Sequence, residues 1–292
     1  MAENAKPDAY TPVEIAKKIE QLGVTKANLP LHRMIILSTL AGVFVAMGGM
    51  FYFVAMADWK GSYGVGQVFG GLVFNLGLAL IAIGGAELFT GNTLLTMAYA
   101  SRKIDWRLMV RNWALVWFFN GVGALLMVGL AYWAQHWAGG GNLVGLKVLS
   151  VGATKASLPF ELVLARGILA NIFVTLAVWI YSAGRTVVDK LAAMVLPITA
   201  FVAVGAEHSI ANMFFIPYAI WLKATPAMVA TPGVPLEKLQ YLTWGNFMGN
   251  LIPATLGNLI GGAICVGLVY WGAYLWEEQA ESEPSRVERK AS

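Results

Sequence analysis

The side chains that could do chemistry in this chain lie in two copies of one short frame. Glu87 belongs to Gly-Ala-Glu-Leu-Phe-Thr-Gly-Asn (residues 85–92), and Glu207 belongs to Gly-Ala-Glu-His-Ser-Ile-Ala-Asn (residues 205–212), 120 positions later. Each frame lies inside a long apolar run, where an isolated carboxylate is costly. A carboxylate is tolerated there as an acceptor for N–H groups at a helix start, or as a protonated acid. Both glutamates are therefore predicted to act as scaffold, with direct substrate contact as the alternative.

The residues that follow each glutamate differ, and this difference predicts where the function lies. The first copy continues with Leu88, Phe89 and Thr90, and the second with His208 and Ser209. Imidazole is the side chain that can give or take a proton near neutral pH. A threonine hydroxyl facing it could hold its tautomer and bind a small oxyanion. A lone histidine in an apolar segment is often only a structural group. His208, however, lies directly after the glutamate, where the two copies differ, and this position favours a functional role.

Metal, redox and hydrolytic chemistry are not predicted. The chain has one cysteine, Cys265, in an apolar run, and three histidines, of which only His208 lies inside an apolar segment. Cys265 is expected to be a buried, inert thiol. With one internal histidine, no nearby second ligand and a lone cysteine, no metal site and no cofactor are predicted. The chain is not expected to be an enzyme.

Composition predicts an all-α membrane protein. Hydrophobic residues make up 58% of the chain and charged residues 12%, against about 25% charged in a typical soluble domain. Six stretches are nearly free of charge: residues 34–57, 61–101, 112–135, 162–183, 191–222 and 239–276. A helical span needs about 20 residues. The second and fifth stretches are much longer and contain the two frames, so both are predicted to be helices broken near the frames.

The distribution of basic residues predicts the orientation. With both termini on one side, that side carries 14 Lys and Arg residues and the other side 5, so the positive-inside rule places both termini in the cytoplasm. The predicted organisation is a cytoplasmic N-terminal segment (residues 1–30), a six-span domain (31–276) and a charged cytoplasmic tail (277–292). Thr11, Pro12 and Glu14 predict a capped amphipathic helix in the first segment. It is either a solvated helix or a gate.

Further matches place the two frames in a longer repeat. Residues 40–46 (Leu-Ala-Gly-Val-Phe-Val-Ala) resemble residues 169–175 (Leu-Ala-Asn-Ile-Phe-Val-Thr), and the segment that starts at Asn120 resembles the one that starts at Asn258. Spans one to three thus repeat as spans four to six. Because three is odd, the second copy enters the membrane from the opposite side, with a pseudo-two-fold axis in the membrane plane. Two half-helix N-termini near the midplane would attract anions.

Several of these motifs together resemble the formate/nitrite transporter family. They are G-A-E-L-F-T-G-N, G-I-L-A-N, the segment 195–217 with E-H-S-I-A-N-M, and N-L-I-P-A-T-L-G-N-L-I-G-G. The resemblance covers residues 13–276 and is closest to the formate channels. It implies an aquaporin-like fold of six transmembrane helices, assembled as a homopentamer with one pore per protomer in the cytoplasmic (inner) membrane.

The resemblance also implies the residues of the pore. The substrate pathway would be formed by Thr90, His208, Asn171, Glu207, Asn258 and Lys155. The periplasmic constriction would be formed by Phe74, Phe89 and Phe201, and the cytoplasmic constriction by Leu78, Leu88 and Val174. Arg166 departs from the formate channels, which have an apolar residue there. Gly91-Asn92 is closer to the nitrite or hydrosulfide branch.

The expected function is passage of a small monovalent anion, with formate as the first choice. A bare carboxylate is resisted by two apolar constrictions, so protonation or anion binding at His208 and Thr90 would make passage pH-dependent. The expected partners are the anion, protons, the lipid bilayer and further copies of the chain, and no nucleic acid. Nitrite or hydrosulfide passage is the alternative within the family. An aquaporin-like channel for neutral solutes is more remote, because neither frame contains Asn-Pro-Ala.

Overall fold

A computed structural model of the protein describes residues 9–233 and 236–277. The predicted tail lies outside these residues except for Glu277, as do residues 1–8 of the predicted N-terminal segment. Within the described part the chain is helical, as predicted, and its extended pairing is limited to an isolated bridge between Ala9 and Gly184. The all-α class expected from the composition is confirmed.

The helices follow one another with short connections. In chain order they are α1 (Pro12–Ala27), α2 (Leu31–Met56), α3 (Tyr63–Gly84), α4 (Phe89–Asn92), α5 (Leu95–Ala100), α6 (Trp106–Trp133), α7 (Leu143–Ala156), α8 (Phe160–Ala183), α9 (Val187–Ala203), α10 (Ser209–Lys223), α11 (Pro226–Val229), α12 (Trp244–Leu259) and α13 (Val269–Tyr274). Short 3-10 helices lie at His136–Ala138 and Leu236–Tyr241, and π-helical turns at Ile260–Leu268 join α12 to α13.

Among the described residues, five helices are long and apolar enough to cross a membrane, so the chain is a multi-pass membrane protein. They are α2, α3, α6, α8 and the continuous stretch from α12 through α13. The sequence predicts six spans. The predicted fifth one corresponds to α9 and α10, which have 17 and 15 residues and are each shorter than the roughly 20 residues of a full span.

Both frames lie in gaps between helices. After α3 the chain leaves the helix at Gly85 (φ 84°), and after α9 it does so at Gly205 (φ 70°). This left-handed conformation is the usual end of a helix and suits glycine because it has no Cβ. The next helices begin at Phe89 and Ser209. Each glutamate therefore lies in a non-helical segment of a few residues between two helix ends.

Glycines allow two pairs of long helices to pack at backbone contact. A Cβ added to Gly123 of α6 would collide with the carbonyl oxygen of Thr39 in α2, and one added to Gly257 of α12 with that of Leu164 in α8. Small residues at such crossings are the usual means of close packing in lipid, since no hydrophobic effect drives helices together there. These two crossings hold α2 against α6 and α8 against α12.

The N-terminal helix α1 has the predicted capping box. The Thr11 hydroxyl accepts from the Glu14 N–H, and the Glu14 carboxylate accepts from the Thr11 N–H. These hydrogen bonds from the Thr11 backbone and hydroxyl hold the pKa of Glu14 below its usual range. The helix is fastened to the remainder of the fold by Lys18, which donates to the Ser182 carbonyl, and by an ion pair of Glu20 with Lys103.

One sequence-based expectation about packing is wrong. Cys265 is exposed on the surface of the single chain rather than buried, because it lies on the outward face of the π-helical turns.

Replacing Gly257 by alanine should destabilise the protein. The added methyl group meets the backbone of α8, which cannot move aside without separating the helices, and such overpacking costs about 1–3 kcal/mol. The matched control is Gly249→Ala in the same helix, where an added Cβ meets nothing within 4 Å. The thermal unfolding midpoint in detergent should fall for Gly257→Ala and stay or rise slightly for the control. Equal midpoints for the two variants would contradict the close crossing.

Candidate functional site

His208 caps helix α10 with its own side chain. Its Nδ1 accepts a hydrogen bond from the backbone N–H of Ala211 at 3.1 Å, and its Nε2 lies 2.9 Å from the hydroxyl oxygen of Thr90. A ring nitrogen that accepts carries no proton, so the proton of the neutral ring is on Nε2 and is donated to Thr90. Both side chains are almost entirely buried. The pair therefore has one defined tautomer.

This geometry determines what the pair can offer to a ligand. Because Thr90 accepts from His208, its own hydroxyl proton can be donated to a second acceptor, and Thr90 itself is fully buried. A second proton can reach the imidazole only at Nδ1, and it can do so only if the hydrogen bond to Ala211 is released. Proton uptake by His208 is thus coupled to the first turn of α10.

Two cavities meet at His208. The first, here called the Lys155 cavity, has a volume of about 120 Å³ and is bounded by Lys155, Gln67 and aromatic side chains. The second, the Leu88 cavity, is about 20 Å³ and is lined almost wholly by apolar side chains. Phe74, Phe201 and His208 line both cavities, and the ring centroids of Phe74 and Phe201 are 6.1 Å apart. These three side chains form the partition between the cavities.

The predicted constriction residues fall into two groups with one exception. Leu78, Leu88 and Val174 line the Leu88 cavity together. Phe74 and Phe201 lie at the partition, whereas Phe89 lines neither cavity. Phe89 is buried, and its backbone N–H donates to Asn120. The structure thus separates Phe89 from the two phenylalanines with which it was grouped.

Glu207 is held by a lysine and two asparagines. Its Oε1 lies 2.8 Å from the Lys155 ammonium, and its Oε2 accepts from Asn212 at 2.7 Å and from Asn250 at 3.3 Å. Asn250 also donates to the Lys155 carbonyl. The carboxylate is 2% exposed and the lysine side chain 15%. The sequence predicted backbone N–H donors for this glutamate, and the structure supplies side-chain donors instead.

Glu87 has a similar set of partners at the other frame, with one asparagine on its carboxylate instead of two. Its carboxylate pairs with the ammonium of Lys26 at 3.0 Å and accepts from Asn92 at 2.7 Å. Asn92 also donates to Asn112, which in turn donates to the Lys26 carbonyl. Lys26 lines a third cavity of about 40 Å³ between α1, the segment from α4 to α5, and α8. This Lys26 cavity also contacts Gly91 of the first frame.

Asn120 and Asn258 hold the backbone of the two gaps in equivalent ways. Asn120 accepts from the Phe89 N–H and donates to the carbonyls of Glu87 and Ser38. Asn258 accepts from the Ser209 N–H and donates to the carbonyls of Glu207 and Gly167. Each amide therefore satisfies backbone groups on both sides of a gap.

Asn171 and Asn258 lie behind the cavity walls rather than in them. The amide of Asn171 donates to the carbonyl of Thr90 at 3.2 Å, to the hydroxyl of Thr93 at 3.1 Å and to the carbonyl of Asn258 at 2.6 Å. Neither asparagine lines any of the three cavities. Both position the segments that carry Thr90 and His208.

Sequence reasoning assigned no role to several members of these networks. The missed side chains are Lys26, Asn92, Asn112, Asn212 and Asn250. Asn92 and Asn212 are the last residues of the two frames, which was a usable signal. Lys26, Asn112 and Asn250 lie on other helices, and their distances in sequence from the frames differ between the two halves. Only a full alignment of the two halves could have found them.

Comparison with known proteins gives consistent matches. Residues 13–272 match the family model described as formate/nitrite transporter. The chain is 41% identical over 274 residues to "Formate channel FocA" of Escherichia coli (strain K12), covering 92% of this chain and 96% of that one. It is 35% identical over 288 residues to "Probable formate transporter" of Methanothermobacter thermautotrophicus, covering 91% and 98%.

The fold is also similar to solved structures. One, described as "Pentameric formate channel with formate bound", has a TM-score of 0.78 and 38% identity, covering 84% of this chain and 98% of that one. Another, described as "FNT family ion channel", has a TM-score of 0.75 and 28% identity, covering 89% and 98%. The family resemblance predicted from the motifs is confirmed.

Removing Lys155 alone should be far more damaging than removing both members of its ion pair. Lys155→Met leaves a buried carboxylate without a counter-charge, which costs about 3–5 kcal/mol, so the thermal unfolding midpoint in detergent should fall strongly. Adding Glu207→Gln to this variant removes the uncompensated charge and should restore most of the midpoint. Lys238→Met, at an exposed site, is the control. A double variant no more stable than Lys155→Met would contradict the buried pair.

Proposed function

Because the chain belongs to the formate/nitrite transporter family, we propose that it is a membrane channel for small monovalent anions and that formate is its substrate. The observation that carries the proposal is His208, which lies at the partition between two cavities and is hydrogen-bonded to Thr90, a fully buried residue that lines neither cavity. The similarity to proteins named formate channels supports the choice of substrate.

In this proposal the membrane domain consists of two inverted copies of three spans. The second span is α3 with α4 and α5, and the fifth is α9 with α10, so both are broken at the frames. Support comes from the matched contacts of the two frames. Glu87 and Asn92 correspond to Glu207 and Asn212 at 120 positions, while Lys26 corresponds to Lys155 at 129. Two unrelated segments are not expected to share such a network of contacts.

The proposed assembly is a homopentamer in the inner membrane with both termini in the cytoplasm. The solved relative described as a pentameric formate channel covers 84% of this chain, which supports the oligomer. The excess of Lys and Arg on the side of the termini supports the orientation. The Lys155 cavity then faces the periplasm and the Lys26 cavity faces the cytoplasm.

Passage is proposed to proceed through the neutral acid. The Leu88 cavity is apolar, and moving a carboxylate into such a space without compensating hydrogen bonds costs several kcal/mol. A proton enters His208 at Nδ1, the Nε2 proton passes to Thr90, and the Thr90 hydroxyl proton passes to the formate oxygen. Loss of the proton on Nδ1 as Nε2 is reprotonated restores the starting tautomer. One proton and one formate thus cross as formic acid.

The titratable role of His208 can be separated from its capping role. His208→Asn keeps an N-cap acceptor for the Ala211 N–H but has no titratable proton, whereas His208→Phe removes both. In proteoliposomes, wild-type formate uptake should rise as the pH falls from about 8 to about 6. Both variants should lose this rise and transport roughly 10- to 100-fold more slowly at the lower pH, and only His208→Phe should lower the thermal midpoint. Unchanged pH dependence in a folded His208→Asn protein would exclude the proton relay.

Nitrite or hydrosulfide is the second candidate substrate. Gly91 belongs to the part of the first frame that resembles the nitrite or hydrosulfide branch of the family, and it lines the Lys26 cavity. A competition series on purified protein at two pH values decides between them. Formate, nitrite, hydrosulfide, acetate and lactate are added in turn against labelled formate. If formate is the substrate, it should compete most strongly, with the larger acids weaker because the Leu88 cavity is small. Stronger competition by nitrite or hydrosulfide would transfer the substrate assignment to that anion.

A further inference from the structure

Lys147 lies on the same face of α7 as Lys155. Residues 147, 151 and 155 are spaced by four, so their side chains form one ridge along the helix. Val151 and Lys155 line the Lys155 cavity. Lys147 is half-buried and comes about 12 Å earlier along the helix axis at ~1.5 Å per residue. Its ammonium lies 5.9 Å from the ring centroid of Tyr52, which also lines this cavity.

The two lysines of the ridge differ in their electrostatic state. The charge of Lys155 is compensated by Glu207 at 2.8 Å. For Lys147, none of the described residues provides a carboxylate at ion-pair distance or a hydrogen-bond acceptor. Burial lowers the pKa of Lys147 from its ordinary value, which reflects partial loss of water around the ammonium. The ring face of Tyr52 is a weak partner compared with an anion.

The corresponding position in the other half does not have this property. Lys18 precedes Lys26 in α1 with the spacing that separates Lys147 from Lys155. The Lys18 ammonium, however, donates to the Ser182 carbonyl at 3.0 Å and packs on the Tyr10 ring. The cation near the Lys26 cavity is thus bound to the protein, whereas the cation near the Lys155 cavity has only a ring face beside it.

We propose that Lys147, seated on Tyr52 at the rim of the Lys155 cavity, is a capture site for small monovalent anions. An uncompensated, partly dehydrated cation beside a cavity raises the local anion concentration and speeds association. The anion then moves along the ridge to the lysine held by Glu207 and on to His208. The effect is directional, since it acts on anions that arrive from the Lys155 side. This inference rests on the proposed anion-channel function.

The test compares Lys147→Gln, Lys147→Arg and a charge-removal control, Lys60→Gln, in the connection between α2 and α3. Lys60 is highly exposed and lies 3.4 Å from Asp58. Labelled formate flux is measured in both directions in oriented proteoliposomes at low and high ionic strength. For Lys147→Gln, KM for flux from the Lys155 side should rise about 5-fold or more at low salt with Vmax unchanged. The difference should vanish near 1 M of an impermeant salt, where the screening length is about 3 Å.

Three results would overturn the capture site. They are an unchanged KM in Lys147→Gln at low salt, an equal rise in Lys60→Gln, and a rise that persists at high salt. Lys147→Arg should behave as wild type, because it keeps the charge, and failure of this rescue would also count against the site. Wild-type protein that moves no formate or related anion would overturn the proposed function and this inference with it. If the wild type transports formate and Lys147→Gln has the same KM, only the capture site is overturned and the proposed function stands.

Discussion

The structure depends on satisfying the backbone polar groups of the two buried, non-helical gaps at the frames. A chain that leaves the helix inside a membrane frees N–H and C=O groups, and each unpaired one costs free energy. One asparagine amide bridges each gap, Asn120 between Glu87 and Phe89 and Asn258 between Glu207 and Ser209. Because these bridges hold the gaps open, the residues within them can face a cavity instead of a helix interior.

The same constraint applies to the two buried glutamates of the frames. In each half a glutamate is neutralised by a lysine and held by asparagine amides, one at Glu87 and two at Glu207, so its negative charge is compensated. Glu207 and Lys155 thereby stiffen the segment that carries His208. The imidazole is left with two hydrogen bonds of defined direction, one to the helix start and one to Thr90. The buried polar network thus positions the His208–Thr90 pair between apolar side chains.

Much of this arrangement could be derived from the residues alone. The repeated frame marked both gaps, and the position that differs between the copies marked His208 and Thr90 as a pair, although 118 positions separate them. The capping box of α1 was predictable because it is local. Phe89 and Asn171 were placed in the pathway, yet Phe89 lines neither cavity at His208 and Asn171 supports the wall from behind. Which way a side chain points within a gap depends on the neighbouring helices.

The sequence by itself determined the class of the protein, its apolar helices, the two gaps and the histidine placed in one of them, since hydrophobicity, glycines and frame repetition are properties of the chain. Tertiary structure alone decided which lysine neutralises which glutamate, which tautomer His208 adopts and which lysine has no carboxylate of the described residues at ion-pair distance. The physical reason is that ion pairs and hydrogen bonds act over a few ångströms between helices distant in sequence. Their partners exist only once α1 and α7 have packed against the gaps.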